Sequence, residues 1–208
     1  MGFYGTFIYP HVQVLTGRLC QNPELDAIIH AQARRARGSV LEIGIGAGGI
    51  LGLYDADGIH EVYGLDPHPK MIEKAARAAQ HVVFPVKLLC APAERIPLED
   101  DSVDTVFSTI TFCSIPDLPL ALREMRRVLR PGGELLFFEH GLHPDPKIAE
   151  RQRRGEARHK WLYNGCHLTR DIPGAIEAAG FTFLENNAGE HPFGWLFPHL
   201  WGWYGAAS

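Results

Sequence analysis

The run Val40-Leu41-Glu42-Ile43-Gly44-Ile45-Gly46-Ala47-Gly48-Gly49 constrains this chain more than any other stretch. An apolar, β-rich lead, Ser39 to Ile43, ends in a glycine turn, and helix-compatible residues follow. The pattern reads as strand, tight turn, start of a helix. Gly44, Gly46 and Gly48 let the backbone turn sharply and leave main chain bare where a ligand can press against it. Amides at such a turn favour an anionic ligand end. A spaced-glycine turn by itself suits any dinucleotide- or nucleoside-binding α/β protein, a nicotinamide dehydrogenase included. Two companions sharpen it. Glu42 stands on the strand just before the turn, and Asp66 closes the next apolar run, Glu61-Val62-Tyr63-Gly64-Leu65. An acid at the tip of the second strand is placed to accept hydrogen bonds from both hydroxyls of a ribose.

Composition narrows the class. The chain has 208 residues, enough for one domain with a full core. We expect a single domain over 1–208, with an N-terminal helical flap over 1–38 and a lid insertion over 141–169. A net charge of -4 argues against a nucleic-acid footprint. No apolar run approaches the roughly 20 residues of a membrane helix. Met1 to Pro10 has neither a basic start nor a cleavage pattern, so a cytoplasmic protein is expected. Cys20, Cys90, Cys113 and Cys166 are scattered and suggest neither a zinc site nor a disulfide framework.

Along the chain the elements follow from periodicity and punctuation. Phe3, Tyr4, Phe7, Ile8 and Tyr9 make the start aromatic, and a short helix from Pro10 packs on the core or forms a flap with Tyr4 or Tyr9. Asn22 caps a helix to about Arg37 with Leu25, Ile28, Ile29 and Ala33 inward. Strands are predicted at Ser39–Ile43, Glu61–Leu65, Val82–Leu89, Val103–Ile110, Glu134–Phe138, Phe181–Asn186 and Leu200–Ala206. Helices are predicted over Lys70–Gln80, Leu118–Arg130, Lys147–Tyr163 and from Thr169 or Asp171 to Ala179, with only a short one after Gly49. Arg123, Arg126 and Arg127 are expected on a solvated face, as are the acids of Glu99-Asp100-Asp101. Gly189 to Pro198 reads as a long loop. The helix over 147–163 is basic, with Lys147, Arg151, Arg153, Arg154, Arg158 and Lys160. It is either a solvated helix over the site or a face that meets anionic lipid headgroups or an acidic substrate, and its apolar face (Ile148, Trp161, Leu162) is thin.

Glu42-Ile43-Gly44-Ile45-Gly46-Ala47-Gly48, then Leu65-Asp66, then Leu129-Arg130-Pro131-Gly132-Gly133 before an apolar strand, together resemble the class I S-adenosylmethionine-dependent methyltransferases. The resemblance covers the chain from about Ser39 onward. It implies a Rossmann-like α/β fold: a seven-stranded doubly wound sheet with an antiparallel C-terminal hairpin. It implies S-adenosyl-L-methionine as cofactor, S-adenosyl-L-homocysteine as product and a small-molecule methyl acceptor. Tyr9, Glu42, Gly44, Gly46, Gly48, Asp66, Pro67, Met71, Ala93, Glu94 and Thr111 then become the cofactor-side residues. Met71 either touches the adenine face or is plain core. Cys90-Ala91-Pro92-Ala93-Glu94-Arg95-Ile96-Pro97-Leu98 resembles the family's adenine-holding segment, with Pro92 where the family has an acid. Proline has neither carboxylate nor amide hydrogen, so the ring edge falls to the amide of Ala93 or Glu94. Thr111-Phe112-Cys113-Ser114 follows the fourth strand, beside the cofactor's methyl group, and lacks the Asn/Asp-Pro-Pro-aromatic pattern of nucleobase amino-methylating enzymes.

Within the family, Ile110 to Ser114, Phe138-Glu139-His140, Gly165-Cys166-His167-Leu168-Thr169-Arg170 and Pro198-His199-x-x-Gly202 resemble one branch. It includes the methyltransferase-like 7 thiol S-methyltransferases and bacterial ubiquinone- and phospholipid-methylating enzymes. The implied acceptor is a thiol first, then a lipid amine or a quinol or phenol hydroxyl. A thiol must lose a proton, and His140 and His167 are the catalytic candidates. Cys113 and Cys166 are read as packing residues and no metal is expected. A non-catalytic cofactor-binding or scaffolding protein is the alternative of another class, with Pro92 its one support.

Overall fold

The computed structural model describes residues 23–163, 165–191 and 200–208. The expected flap with Tyr4 and Tyr9 falls outside these residues, as do Phe193, Trp195, Phe197, Pro198 and His199.

The chain forms α1 (Pro23–Ala33), β1 (Gly38–Ile43), β2 (Ile59–Leu65), α2 (Pro69–Ala78), β3 (Val86–Leu89) and β4 (Val103–Thr109). It continues through α3 (Leu118–Val128), β5 (Leu129–Gly141), α4 (Pro146–Leu162), α5 (Ile172–Ala178), β6 (Phe183–Glu190) and β7 (Trp201–Ala207). The seven strands order as β3-β2-β1-β4-β5-β7-β6. β1 lies parallel between β2 and β4, and β5 is parallel to β4. β7 runs antiparallel between β5 and β6. This is the Rossmann-like sheet with an antiparallel C-terminal pair that the motifs imply.

Every residue of β1 is buried, as a central strand covered on both faces requires. Alternate side chains feed two cores. Leu41, Ile43, Val106, Leu135 and Phe137 pack with Leu122, Met125, Ile172 and Ile176 of α3 and α5. Val40, Val62, Phe107 and Leu136 pack on the other face with Ala33, Tyr54 and Ala75.

Several boundaries move, each for a visible reason. β3 starts at Val86 rather than Val82, because Pro85 has no N–H for the ladder, although its carbonyl accepts from Val62 N at 2.9 Å. β5 runs on to Gly141, since β7 pairs along it from Leu135–Ala207 to Gly141–Trp201. β6 is shifted to Phe183–Glu190, so Gly189 and Glu190 are strand rather than loop. After the glycine turn only a 3-10 turn forms, Leu51–Leu53.

Two expectations about surfaces are corrected. Arg127 is not a solvated arginine. Its guanidinium forks onto both oxygens of Glu124 (2.7 and 2.8 Å) and donates to the carbonyls of Leu98 and Ile96 and to Asp100. Glu124 in turn accepts from Ile96 N, so the pair clamps the 96–100 loop to α3. On α4 the buried stripe is Ala149, Gln152 and His159, while Trp161 is 68% exposed. The inward contacts are polar: Gln152 accepts from His143 N at 2.8 Å and donates to Gly141 O at 3.1 Å. That explains the thin apolar face. Arg151, Arg153, Arg154 and Arg158 are exposed. Among the described residues, no helix is long and apolar enough to cross a membrane.

Arg127→Ala should destabilise the fold by about 2 kcal/mol, since it removes hydrogen bonds to charged partners and leaves two loop carbonyls unmet. Chemical denaturation would read this, and Arg123→Ala on the exposed face serves as the near-neutral comparison.

Candidate functional site

The carboxyl ends of β1, β2, β4 and β5 come together at one edge. Ile43 stands beside Leu65 and Ser108, and Thr109 beside Phe138. The glycine turn leaves β1 here. Gly44, Gly46 and Gly48 have φ of +69°, +55° and +80°. A side chain at Gly44 would collide with Thr111, its Cβ 2.4 Å from Oγ1. At Gly46 the nearest atom to such a Cβ is 3.8 Å away, so that position faces open space. Gly44 N and Ile45 N both donate to Leu65 O, and Gly48 N to Ile45 O. Among the described residues, the Ala47 and Gly49 amides are taken by no other group. Bare, uncommitted main chain beside open space suits a ligand with acceptor groups.

Asp66 lies across from this turn. It is 7% exposed and accepts from Gly46 N at 3.1 Å and from His68 N at 2.8 Å. Burial raises its pKa, and these bonds and the charge of His68 oppose the rise. A carboxylate accepts about four hydrogen bonds, so capacity remains for ribose hydroxyls. Pro67 is exposed beside it, and Met71 is buried in the first turn of α2. Ala93 is buried and packs in the α3 side of the core. The Glu94 carboxylate accepts from Asp117 N at 3.1 Å, so its side chain caps the next loop. The Ala93 and Glu94 amides are engaged by no group among the described residues, which leaves them available to an adenine edge. The residues present therefore fit S-adenosylmethionine, with Pro92 contributing only a carbonyl to Arg95 N.

Glu42 is the cofactor-side residue whose surroundings differ most from expectation. Its side chain is buried against Tyr54, whose hydroxyl donates to Oε2 at 2.8 Å. Burial pushes its pKa up to about 8 despite that bond.

A second cluster, beside the glycine turn at the same sheet edge, is built around Glu139, in the apolar row of β5. Its carboxylate takes Ser108 Oγ at 2.7 Å, Thr111 N at 3.0 Å and Phe112 N at 3.1 Å. Burial raises its pKa to about 7 against these donors. The loop they hold includes Ile110 at φ +49°, which a β-branched residue rarely adopts. Arg170 clasps the loop from outside through the Phe112 and Ile115 carbonyls. Cys113 follows and is bound through its carbonyl by His167 N at 2.8 Å.

The structure places both candidate histidines at this loop. His140 is 4% exposed, with Nε2 3.4 Å from Cys166 Sγ. His167 is half-buried, and its Nδ1 lies 2.9 Å from Glu156. Its pKa is lowered by burial and by Arg170 and Lys160, with Glu156 opposing. Cys113, His140 and Cys166 converge, which spacing along the chain did not indicate. Glu139 and Arg170 also escaped the sequence reading as site builders. An acid at the end of the apolar run Leu135-Leu136-Phe137-Phe138 was the available signal for Glu139.

Two measurements follow from this geometry. Asp66→Ala should weaken S-adenosylmethionine binding about 100-fold, the loss of two hydrogen bonds to a charged group, and calorimetry would show it. Glu42 has a folded pKa above its unfolded value, so its contribution to stability is present below pH 4.5 and is lost as pH rises toward about 8. Glu42→Gln keeps an acceptor for Tyr54 and should flatten that decline by a few kcal/mol, measured as unfolding free energy across the pH series.

The comparisons with known proteins agree with this fold. The methyltransferase-domain family matches residues 41–137. Thiol S-methyltransferase TMT1B of Rattus norvegicus is 33% identical over 170 residues, covering 79% of this chain and 69% of that protein. Human thiol S-methyltransferase TMT1A is 33% identical over 178 residues, with the same coverage. The crystal structure of YcgJ from Bacillus subtilis superposes with a TM-score of 0.65 over 88% of this chain and 94% of that one. At 19% identity it speaks to the fold alone. With the glycine turn, Asp66 and a sheet of this order in place, and a third of positions shared over most of both chains, the protein belongs to the class I S-adenosylmethionine-dependent methyltransferases.

Proposed function

We propose that the protein transfers the methyl group of S-adenosylmethionine to the sulfur of a small thiol. The observation that carries this reading is the chemistry left free on the acceptor side. Glu139 is engaged by Ser108 and the loop amides and Glu156 by His167 and Leu168 N, so both carboxylates there already hold groups of this chain rather than an amine. What remains is sulfur and imidazole: Cys113, His140, Cys166 and His167. The likeness to proteins named thiol S-methyltransferases supports the same acceptor.

S-adenosylmethionine supplies an activated methyl on a sulfonium, and this chain's residues align the acceptor and exclude water. The thiol attacks as thiolate, so a proton has to leave it. His167 suits that task. With Nδ1–H donated to Glu156, its Nε2 presents a lone pair, and the lowered pKa keeps the ring neutral near pH 7. Glu156 also accepts from Leu168 N at 2.9 Å, which holds the carboxylate in position. His167 is the proton acceptor and Glu156 its positioning residue.

An assay with S-adenosylmethionine against small thiols, phosphatidylethanolamine vesicles and phenols tests the proposal. S-methylated product should form with thiols. His167→Ala should lower kcat about 100-fold at neutral pH, as loss of a general base does, and the deficit should shrink as pH approaches the thiol's own pKa. Turnover on the lipid or the phenols in place of thiols would overturn the reading. Cofactor binding without turnover on any acceptor would favour the non-catalytic alternative.

A further inference from the structure

Three separate segments bring Cys113, His140 and Cys166 into contact: the turn after β4, the end of β5 and the stretch after α4. Their ligating atoms all lie within 4.8 Å of one another. The Cys166 Sγ to His140 Nε2 distance is 3.4 Å. A tetrahedral zinc ion with Zn–S of about 2.3 Å and Zn–N of about 2.0 Å sets neighbouring sulfur and nitrogen ligands about 3.5 Å apart. The Cys166–His140 pair already has that spacing, and Cys113 lies within reach of both.

Packing does not account for the group. Cysteine fills core space as a small apolar residue, but a buried imidazole carries a polar cost unless both nitrogens are met. Here His140 Nδ1 is buried with no hydrogen-bond partner among the described residues and Nε2 faces only cysteine thiols, Cys166 among them, so neither ring nitrogen has a strong partner. The side chains are 1%, 4% and 8% exposed for Cys113, His140 and Cys166. The scaffold is firm: Glu139 and Arg170 fix the loop, and the His167 amide ties the Cys166 stretch to Cys113. Two cysteines and a histidine make a soft donor set that favours zinc over magnesium or calcium. Three protein ligands with a fourth position open is the pattern of catalytic rather than structural zinc. The flanking residues Thr111, Ser114, Gly165 and His167 are half-buried rather than sealed in the core, so an acceptor would approach from their side.

We propose that Cys113, His140 and Cys166 bind one zinc-class divalent cation whose fourth position takes the sulfur of the methyl acceptor. This rests on the thiol reading above and extends it. The acceptor thiol loses its proton to His167 or water and is held as a thiolate at the cation. A bond forms from that sulfur to the methyl carbon. The bond from the methyl carbon to the sulfonium sulfur breaks, and its electron pair stays on that sulfur. The products are a neutral thioether, a weak ligand that leaves, and S-adenosylhomocysteine. Nothing is oxidised or reduced.

The test uses the full chain, reduced, stripped with chelator and titrated with cobalt(II) alone as a spectroscopic stand-in. One equivalent should bind, with a near-ultraviolet thiolate-to-cobalt band and the intense visible absorption of tetrahedral geometry. Cys113→Ser and Cys166→Ser should each weaken binding at least 100-fold, while Cys90→Ser, at an exposed cysteine, should not. Adding a small thiol without cofactor should strengthen the near-ultraviolet band. Absence of that band, its persistence in Cys113→Ser, or a spectrum indifferent to thiols would each overturn the proposal. The unmutated protein carries the same test should the serine variants fail to fold. Thiol methylation undiminished in the chelated wild type would overturn the cation site and leave the thiol reading standing. A thiol-sensitive cobalt site without thiol turnover would uphold the site and overturn that reading.

Discussion

The carboxylate of Glu139 is the peg on which the acceptor side hangs. Sealed within the sheet, it is met by Ser108 and by the amides of Thr111 and Phe112. Those donors sit in a dry setting and would otherwise be orphaned. They also hold Ile110 in a left-handed conformation that costs about 1–2 kcal/mol for such a residue. The loop so fixed delivers Thr111 against the glycine turn and Cys113 toward His140 and Cys166. One buried acid thereby joins the cofactor side of the site to the acceptor side.

The parts legible in the sequence are those encoded locally. The glycine turn, the acid at the tip of β2 and the alternation of strands and helices each occupy a short window; the turn and the acid stand where the pattern put them, and the strands and helices keep their order while several ends move. The turn is legible because its glycines share a local cause, the positive φ that Gly44, Gly46 and Gly48 each adopt. Residues 113, 140 and 166 could not be joined this way. They meet only because β4 and β5 are neighbours and the chain after α4 folds back over both, and no periodicity carries that information. Cysteine without Cys-x-x-Cys spacing reads as filler until the third dimension is supplied. Arg127 was misread for a related reason. Its place beside Arg126 suggests a solvated face, but its partners lie on a loop 27 to 31 residues earlier.

Helix α4 shows what hydrophobicity alone misses. α4 docks through Gln152 and through Glu156, which holds Leu168 N and His167, rather than through an apolar stripe. Polar docking of this kind is directional, so it fixes the helix's rotation as well as its position. It also puts the carboxylate that pairs with His167 on this helix.

The position of β7 has a consequence for how the chain reaches this state. β7 is the inner strand of the antiparallel pair, so β6 has no place on the sheet until β7 has inserted beside β5. The contact of Leu135 with Ala207 joins residues about a third of the chain apart. Such non-local pairing comes late and slowly, because loop closure opposes it before any contact rewards it. Until then β5, with its apolar run Leu135-Leu136-Phe137-Phe138, presents an open hydrogen-bonding edge. The strand arrangement that completes the methyl-transfer fold thus makes the partly folded chain sticky, and its yield on refolding will be governed by how quickly that one edge is covered.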